Sequence, residues 1–179
     1  MDSGGETMVL PELTLDSGRI LQEVVVRYRT WGTLNDARSN GIVVLHALTG
    51  NADVESWWGP MLGPGKALDT NRYWVFCANV LGSCYGSTGP TSINPATGKR
   101  YGGSFPKVTI RDMVRAQGRV LTNLGISELV CVVGGSMGGM MAMEWPLEVQ
   151  KPFARSFVSI AACGRHQPWQ IGMSEVQRQ

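Results

Sequence analysis

Four short runs, residues 42–45, 74–78, 129–133 and 157–161, are apolar almost without interruption, and helix-like stretches lie between them. Such runs predict strands covered on both faces, as in a parallel sheet. The earlier segment 21–31 (LQEVVVRYRTW) is rich in β-branched residues and stops at a polar turn, 35–40. It predicts the opening strand of an antiparallel hairpin or a sheet edge. The plainest helix begins at Thr109, with Asp112 as its capping-box partner. Ile110, Met113, Val114, Val120, Leu121 and Leu124 share one face, and Gly125 supplies the stop. Strands and helices in alternation predict a doubly wound, mostly parallel α/β sheet, with ligand sites at the carboxyl ends of its strands.

Chemistry enters after the third run. Gly134-Gly135-Ser136-Met137-Gly138-Gly139 stands between strand 129–133 and the helix-forming run 140–145. A serine in a G-x-S-x-G turn between strand and helix is the arrangement of a nucleophile elbow. The glycines relieve clashes in a strained turn, and the hydroxyl emerges at a helix N-terminus, where unpaired N–H groups can hold an oxyanion. A phosphate cradle is the competing use of such glycines, but this loop has no lysine and no Gly-Lys-Ser/Thr ending. Ser136 is therefore the predicted nucleophile of an α/β-hydrolase fold. Its oxyanion hole is expected from the backbone N–H groups of Met137 and of Leu48, the latter in the segment 46–50 (HALTG) after the first run. His46 is expected to be a structural histidine beneath that loop, because in this fold the base follows the serine along the chain.

A long polar loop, 82–106, separates the second run from the Thr109 helix. Loops of that length are surface Ω-loops or functional segments. The functional reading has it line a channel above Ser136. Thr49, Gly86, Ser87 and Thr88 would then stand on the wall, with Lys99 or Arg100 open to an anionic cosubstrate.

Composition narrows the classes. With 43% hydrophobic and 17% charged residues, the 179-residue chain reads as one globular domain, 1–179. A net charge of +2, spread along the chain, offers no stripe for nucleic acid or anionic lipid. No apolar run reaches a membrane-spanning length, and Asp2 and Glu6 precede any apolar stretch, so neither a span nor a signal peptide is expected and the protein reads as cytoplasmic. Cys77, Cys84, Cys131 and Cys163 show no CxxC spacing, and His46 and His166 are the only histidines, so neither a disulfide framework nor a metal site is expected.

The segments HALTGNAD, NVLGSCYGSTGPTSINPATGKRYGGSFPKVTIRD and VVGGSMGGMMAMEWPLE, in that order, resemble the homoserine O-acetyltransferase family, from about residue 10 to the last. The tail, GRHQPW followed by SEVQRQ, is most similar to fungal members. The resemblance implies acetyl-CoA as cosubstrate, an acetyl group carried by Ser136, and L-homoserine as acceptor in methionine biosynthesis. It also implies a helical lid, a homodimer and no bound cofactor. Similar enzymes accept serine or use succinyl-CoA, so those pairs stay open. An esterase-like hydrolase and an inactive CoA-binding module are the remaining alternatives.

A hydrolase triad continues from serine to an acid and then a histidine. After Ser136 there is no aspartate, and Glu144, Glu148 and Glu175 are the only acids. Glu144 and Glu148 lie on the order of 12 and 18 Å along the helix from the serine, too far to orient its base. His166, the only later histidine, is expected to line a pocket, with a base role as the alternative. The resemblance places acid and histidine on later strands beyond the lid. The chain is thus expected to be an incomplete domain, truncated before the lid and the last strands, with little turnover of its own. Its exposed apolar edge is expected to favour self-association.

Overall fold

A computed structural model describes residues 4–179. In chain order its elements are β1 (Glu6–Thr14), β2 (Ile20–Trp31), β3 (Gly41–Leu45), α1 (Val54–Trp58), β4 (Trp74–Ala78), the small hairpin of β5 (Ile93–Asn94) and β6 (Lys99–Arg100), α2 (Ile110–Asn123), β7 (Glu128–Gly135), α3 (Met137–Glu148), β8 (Phe153–Ala154), β9 (Phe157–Ile160) and α4 (Pro168–Arg178). The main sheet has the order β1-β2-β4-β3-β7. β8 and β9 lie end to end along the far side of β7, the first against Glu128 and Leu129, the second against Val132 to Gly135. β1, β2 and β4 are antiparallel, and everything from β4 to β9 in the main sheet is parallel.

Two expectations need correction. Segment 21–31 neither opens the sheet nor lies at its edge, since β2 is bonded to β1 on one side and β4 on the other. β1 escapes a pattern search because Pro11 interrupts its alternation. The register runs Leu10↔Val24 and then Glu12↔Gln22, with Glu23 at φ 50° opposite the proline. Pro11 is tolerated because β1 is the outermost strand, where a missing donor breaks little of the ladder. The run 157–161 does form a strand, but not one covered on both faces: Phe157, Val158 and Ile160 are 39%, 42% and 45% exposed.

In the interior strands successive side chains feed two cores, as the strand period requires. Val43, Leu45, Phe76 and Val132 meet α2 and α3 through Val114, Leu121, Met141 and Trp145. Ile42, Val44, Val75 and Cys77 meet Ala52, Val54, Leu62 and Leu68 on the opposite face. Helices therefore lie on both faces, although α1 has only five residues. The buried Cys77 thiol titrates well above its usual range, because burial disfavours the thiolate. No disulfide forms among the described residues, and none of their helices is long and apolar enough to cross a membrane.

The start of α2 orients the upper end of the molecule. Thr109 and Asp112 form the expected capping box, and the fully buried Asp112 carboxylate also accepts the Asp16 N–H at 2.7 Å, tying the β1–β2 turn to the helix. Arg111 and Arg115 reach across to α3, pairing with Glu144 at 3.2 Å and Glu148 at 2.6 Å.

Candidate active site

Ser136 occupies a sharp turn between the last residue of β7 and the first of α3, with φ 56° and ψ −121°. Such angles are strained for a side chain bearing Cβ and persist only where the surroundings hold them. The surroundings here are close backbone approaches that only glycine permits. A Cβ at Gly134 would collide with the Gly138 carbonyl, and a Cβ at Gly138 with the carbonyl of Leu45 on β3. At Gly139 it would press on the Ala162 side chain at 2.7 Å. Gly135 is different, since the nearest atom to an added Cβ there is 4.0 Å away. The spacing of the motif thus follows from the close contacts of two glycines, one on each side of the serine, and Gly135 between them is under no such demand. The Ser136 N–H donates to the Ile160 carbonyl at 2.9 Å, and the Ser136 carbonyl accepts from Met140 at 3.1 Å. The side chain is exposed and caps no helix N–H.

Met137 is the first residue of α3, so its N–H has no acceptor within the helix. Leu48, 68% exposed, sits on the loop after β3. Met137 and Leu48 line one cavity of about 300 Å3, together with Leu81, Gly82, Phe105 and Met113. Thr49 is exposed next to Leu48 and is not among the lining residues. Beneath the loop lies His46, 1% exposed. Its Nδ1 is 2.8 Å from the Ala47 carbonyl, and its Nε2 accepts the Val80 N–H at 3.2 Å. Burial holds the ring below the usual histidine pKa. With both nitrogens engaged, His46 has no lone pair for a substrate proton, in keeping with a structural role.

The other expected wall residues lie elsewhere. Ser87 and Thr88 are buried, and their hydroxyls accept the N–H groups of Arg27 and Val25 at 3.0 and 2.8 Å. Ser87 also donates to the Asn79 carbonyl at 2.6 Å. Together with Gly86, at φ 96° and packed on the Arg27 side chain, they fasten the loop to β2 and do not form a channel wall. Lys99 and Arg100 stand exposed on the β5–β6 hairpin, with the Arg100 guanidinium donating to the Thr91 carbonyl at 3.1 Å, and neither borders the cavity of Leu48 and Met137. Two other cations stand close by. Arg19 and Lys107 line a neighbouring cavity of about 500 Å3 that shares Phe105 and Pro106 with the first. Nothing in the sequence brings the β1–β2 turn beside residues 103–107, so this pair was invisible there.

His166 is exposed and lines a separate cavity of about 270 Å3 along α3, with Met140, Met143, Glu144 and Cys163. His166 thus stands in a pocket wall, and it does not line the cavity of Leu48 and Met137. Glu144 and Glu148 are held by arginines of α2. No group of three potential metal ligands occurs among the described residues. The arrangement thus offers an exposed hydroxyl on a strained turn, next in the chain to Met137, which with Leu48 lines one cavity; among the described residues neither histidine is assembled with the serine.

Residues 40–178 match the family model described as the α/β hydrolase fold. The chain is 52% identical over 177 residues to the homoserine O-acetyltransferase of Salinibacter ruber, an alignment covering 97% of this chain and 50% of that protein. It is 48% identical over 176 residues to the homoserine O-acetyltransferase of Saccharomyces cerevisiae, covering 98% of this chain and 36% of that one. Among solved structures, esterase E22 superposes with a TM-score of 0.83 at 37% identity, covering 96% of this chain and 50% of that one. The chain spans about half the length of these proteins or less.

Proposed function

The chain belongs to the α/β-hydrolase fold family, and on that premise we propose that it carries the nucleophile half of an acyltransferase that moves an acetyl group from acetyl-CoA to the hydroxyl of L-homoserine. The elbow carries the chemistry, because it combines a strained serine with glycines required by close packing. The substrate pair rests on likeness to the Salinibacter ruber and Saccharomyces cerevisiae proteins.

In the first half-reaction the Ser136 hydroxyl attacks the thioester carbonyl and yields its proton to a base. The oxyanion of the tetrahedral intermediate accepts from the N–H groups of Leu48 and Met137, the C–S bond breaks, and the CoA thiolate leaves and is protonated. In the second, the homoserine hydroxyl attacks the acetyl-serine, passes its proton through the same base to Ser136, and leaves as O-acetylhomoserine. His46 has no free nitrogen for that base role, and His166 lines a different cavity. We assign the base and its acid to the part of the longer relatives that this chain does not span. The anionic end of CoA is assigned to Arg19 and Lys107, since their cavity adjoins the one at the amides. A cytoplasmic setting, a homodimer and a place in methionine biosynthesis complete the proposal.

The test is CoA release from acetyl-CoA by the natural-length protein, followed with a thiol reagent with and without L-homoserine. Release that depends on homoserine, with a transient acetyl group on Ser136 in the intact mass, is expected. Ser136→Ala should lower turnover by at least about 10³-fold. Replacement of Arg19 or Lys107 by glutamate should raise KM for acetyl-CoA and leave a small acetyl ester unaffected. The likeness to esterase E22 favours a second reading, hydrolysis. Equal CoA release without homoserine would establish that instead, and faster turnover with L-serine or succinyl-CoA would redraw the substrate pair.

A further inference from the structure

Among the buried polar groups, His46 stands out because one of its partners, Val80, lines the cavity of Leu48 and Met137, and the other, the Ala47 carbonyl, belongs to the peptide unit of an assigned oxyanion donor. The carbonyl of Ala47 and the N–H of Leu48 are the two ends of one planar trans peptide, so fixing the oxygen fixes the direction of the N–H, which points the opposite way. That oxygen is held twice, at 2.8 Å from His46 Nδ1 and at 2.9 Å from the Gly50 N–H. The Leu48 N–H cannot change direction by rotation of this peptide without breaking both bonds.

The tautomer follows from the other side of the ring. Val80 presents an N–H to Nε2 at 3.2 Å, so Nε2 must be the lone-pair acceptor, and Nδ1 must carry the proton it donates to Ala47. Val80 follows β4 and lines the same cavity as Leu48 and Met137. The imidazole is therefore a buried strut between the wall of the cavity and the donor peptide, with one end donating and the other accepting.

We infer that His46 is a positioning residue for acyl transfer, which holds the Ala47–Leu48 peptide so that the Leu48 N–H faces the developing oxyanion. This rests on the reading of Ser136 as nucleophile, and acts on the transition state alone, because the donor meets full negative charge only there.

Two substitutions in the natural-length protein separate this role from plain packing. His46→Asn puts an amide NH2 near the place of Nδ1, keeping the bond to Ala47 and losing the one to Val80. His46→Gln puts a carbonyl oxygen near the place of Nε2, with the opposite result. The expected outcome is that the Gln variant loses roughly 10- to 100-fold in kcat at unchanged KM for acetyl-CoA. The Asn variant should stay within a few-fold of wild type, although both lower the melting temperature. A p-nitrophenyl acetate burst should slow in the same order. Equal losses in the two variants, losses that track the melting temperature, or a change confined to KM would overturn the assignment. If neither variant folds, 15N spectra of wild-type imidazole decide, with protonated Nδ1 expected and protonated Nε2 fatal. Failure of the wild-type protein to acetylate Ser136 would instead count against the nucleophile reading.

Discussion

β3 and β9 are alike as sequence, GIVVL and FVSI, and opposite in the fold. β3 is paired on both sides and every one of its residues is buried, whereas β9 pairs only with β7 and every residue is exposed. The difference teaches that burial here comes from a strand's place in the sheet order, and that an apolar run by itself records only what a strand could support. The elbow hangs between the two. Gly138 packs on the carbonyl of Leu45 in β3, while Gly139 packs against the carbonyl of Ile160 in β9 and the Ala162 side chain just beyond it.

The largest expected effect tests the contrast directly. Leu45→Ala should destabilise by about 2–5 kcal/mol in urea unfolding, the range for a buried leucine, and Ile160→Ala by about 1 kcal/mol or less. Similar losses at both sites would show that the edge strand is covered in solution. Next come the glycines. Gly138→Ala should cost roughly 1–3 kcal/mol and displace Ser136, because a central strand cannot give way, and Gly135→Ala should be tolerated. Gly139→Ala should fall between them, since its neighbours belong to the less constrained edge. A smaller effect attaches to His46. Its folded-state pKa is depressed, so the unfolded chain binds more protons below its own value of about 6.5, and stability should fall as pH drops through that range. The fall should be shallower in His46→Gln. Smallest in folding free energy is Val158→Lys, expected to leave the urea midpoint nearly unchanged while reducing self-association in sedimentation, as a charge on an open edge should.

The elbow was legible in the sequence because the glycines it needs fall within two residues of Ser136, so a short motif records them even though one answers to a distant contact, Gly138 on the Leu45 carbonyl of β3. The capping box of α2 is legible for the same reason. The wall residues were not. Ser87 and Thr88 look like polar loop residues until β2 is beside them, and their hydroxyls turn out to be committed to Arg27 and Val25, some sixty positions earlier in the chain. Arg19 and Lys107 come to line one cavity in a fold whose β1–β2 turn is tied to α2 by the Asp112 carboxylate. β1 was hidden by a single proline whose cost vanishes at the sheet margin. Signals that depend on tertiary neighbours carry no periodicity, and these were the ones missed.

The hydrogen bond from the Ser136 amide to the Ile160 carbonyl links the most reactive position proposed for this chain to the least covered strand of the main sheet. Fraying of β9 would therefore register at the serine before it registered in the core, and amide hydrogen exchange at Ser136 should follow the opening of that margin rather than global unfolding. Whatever grips the margin would, by the same bond, still the nucleophile.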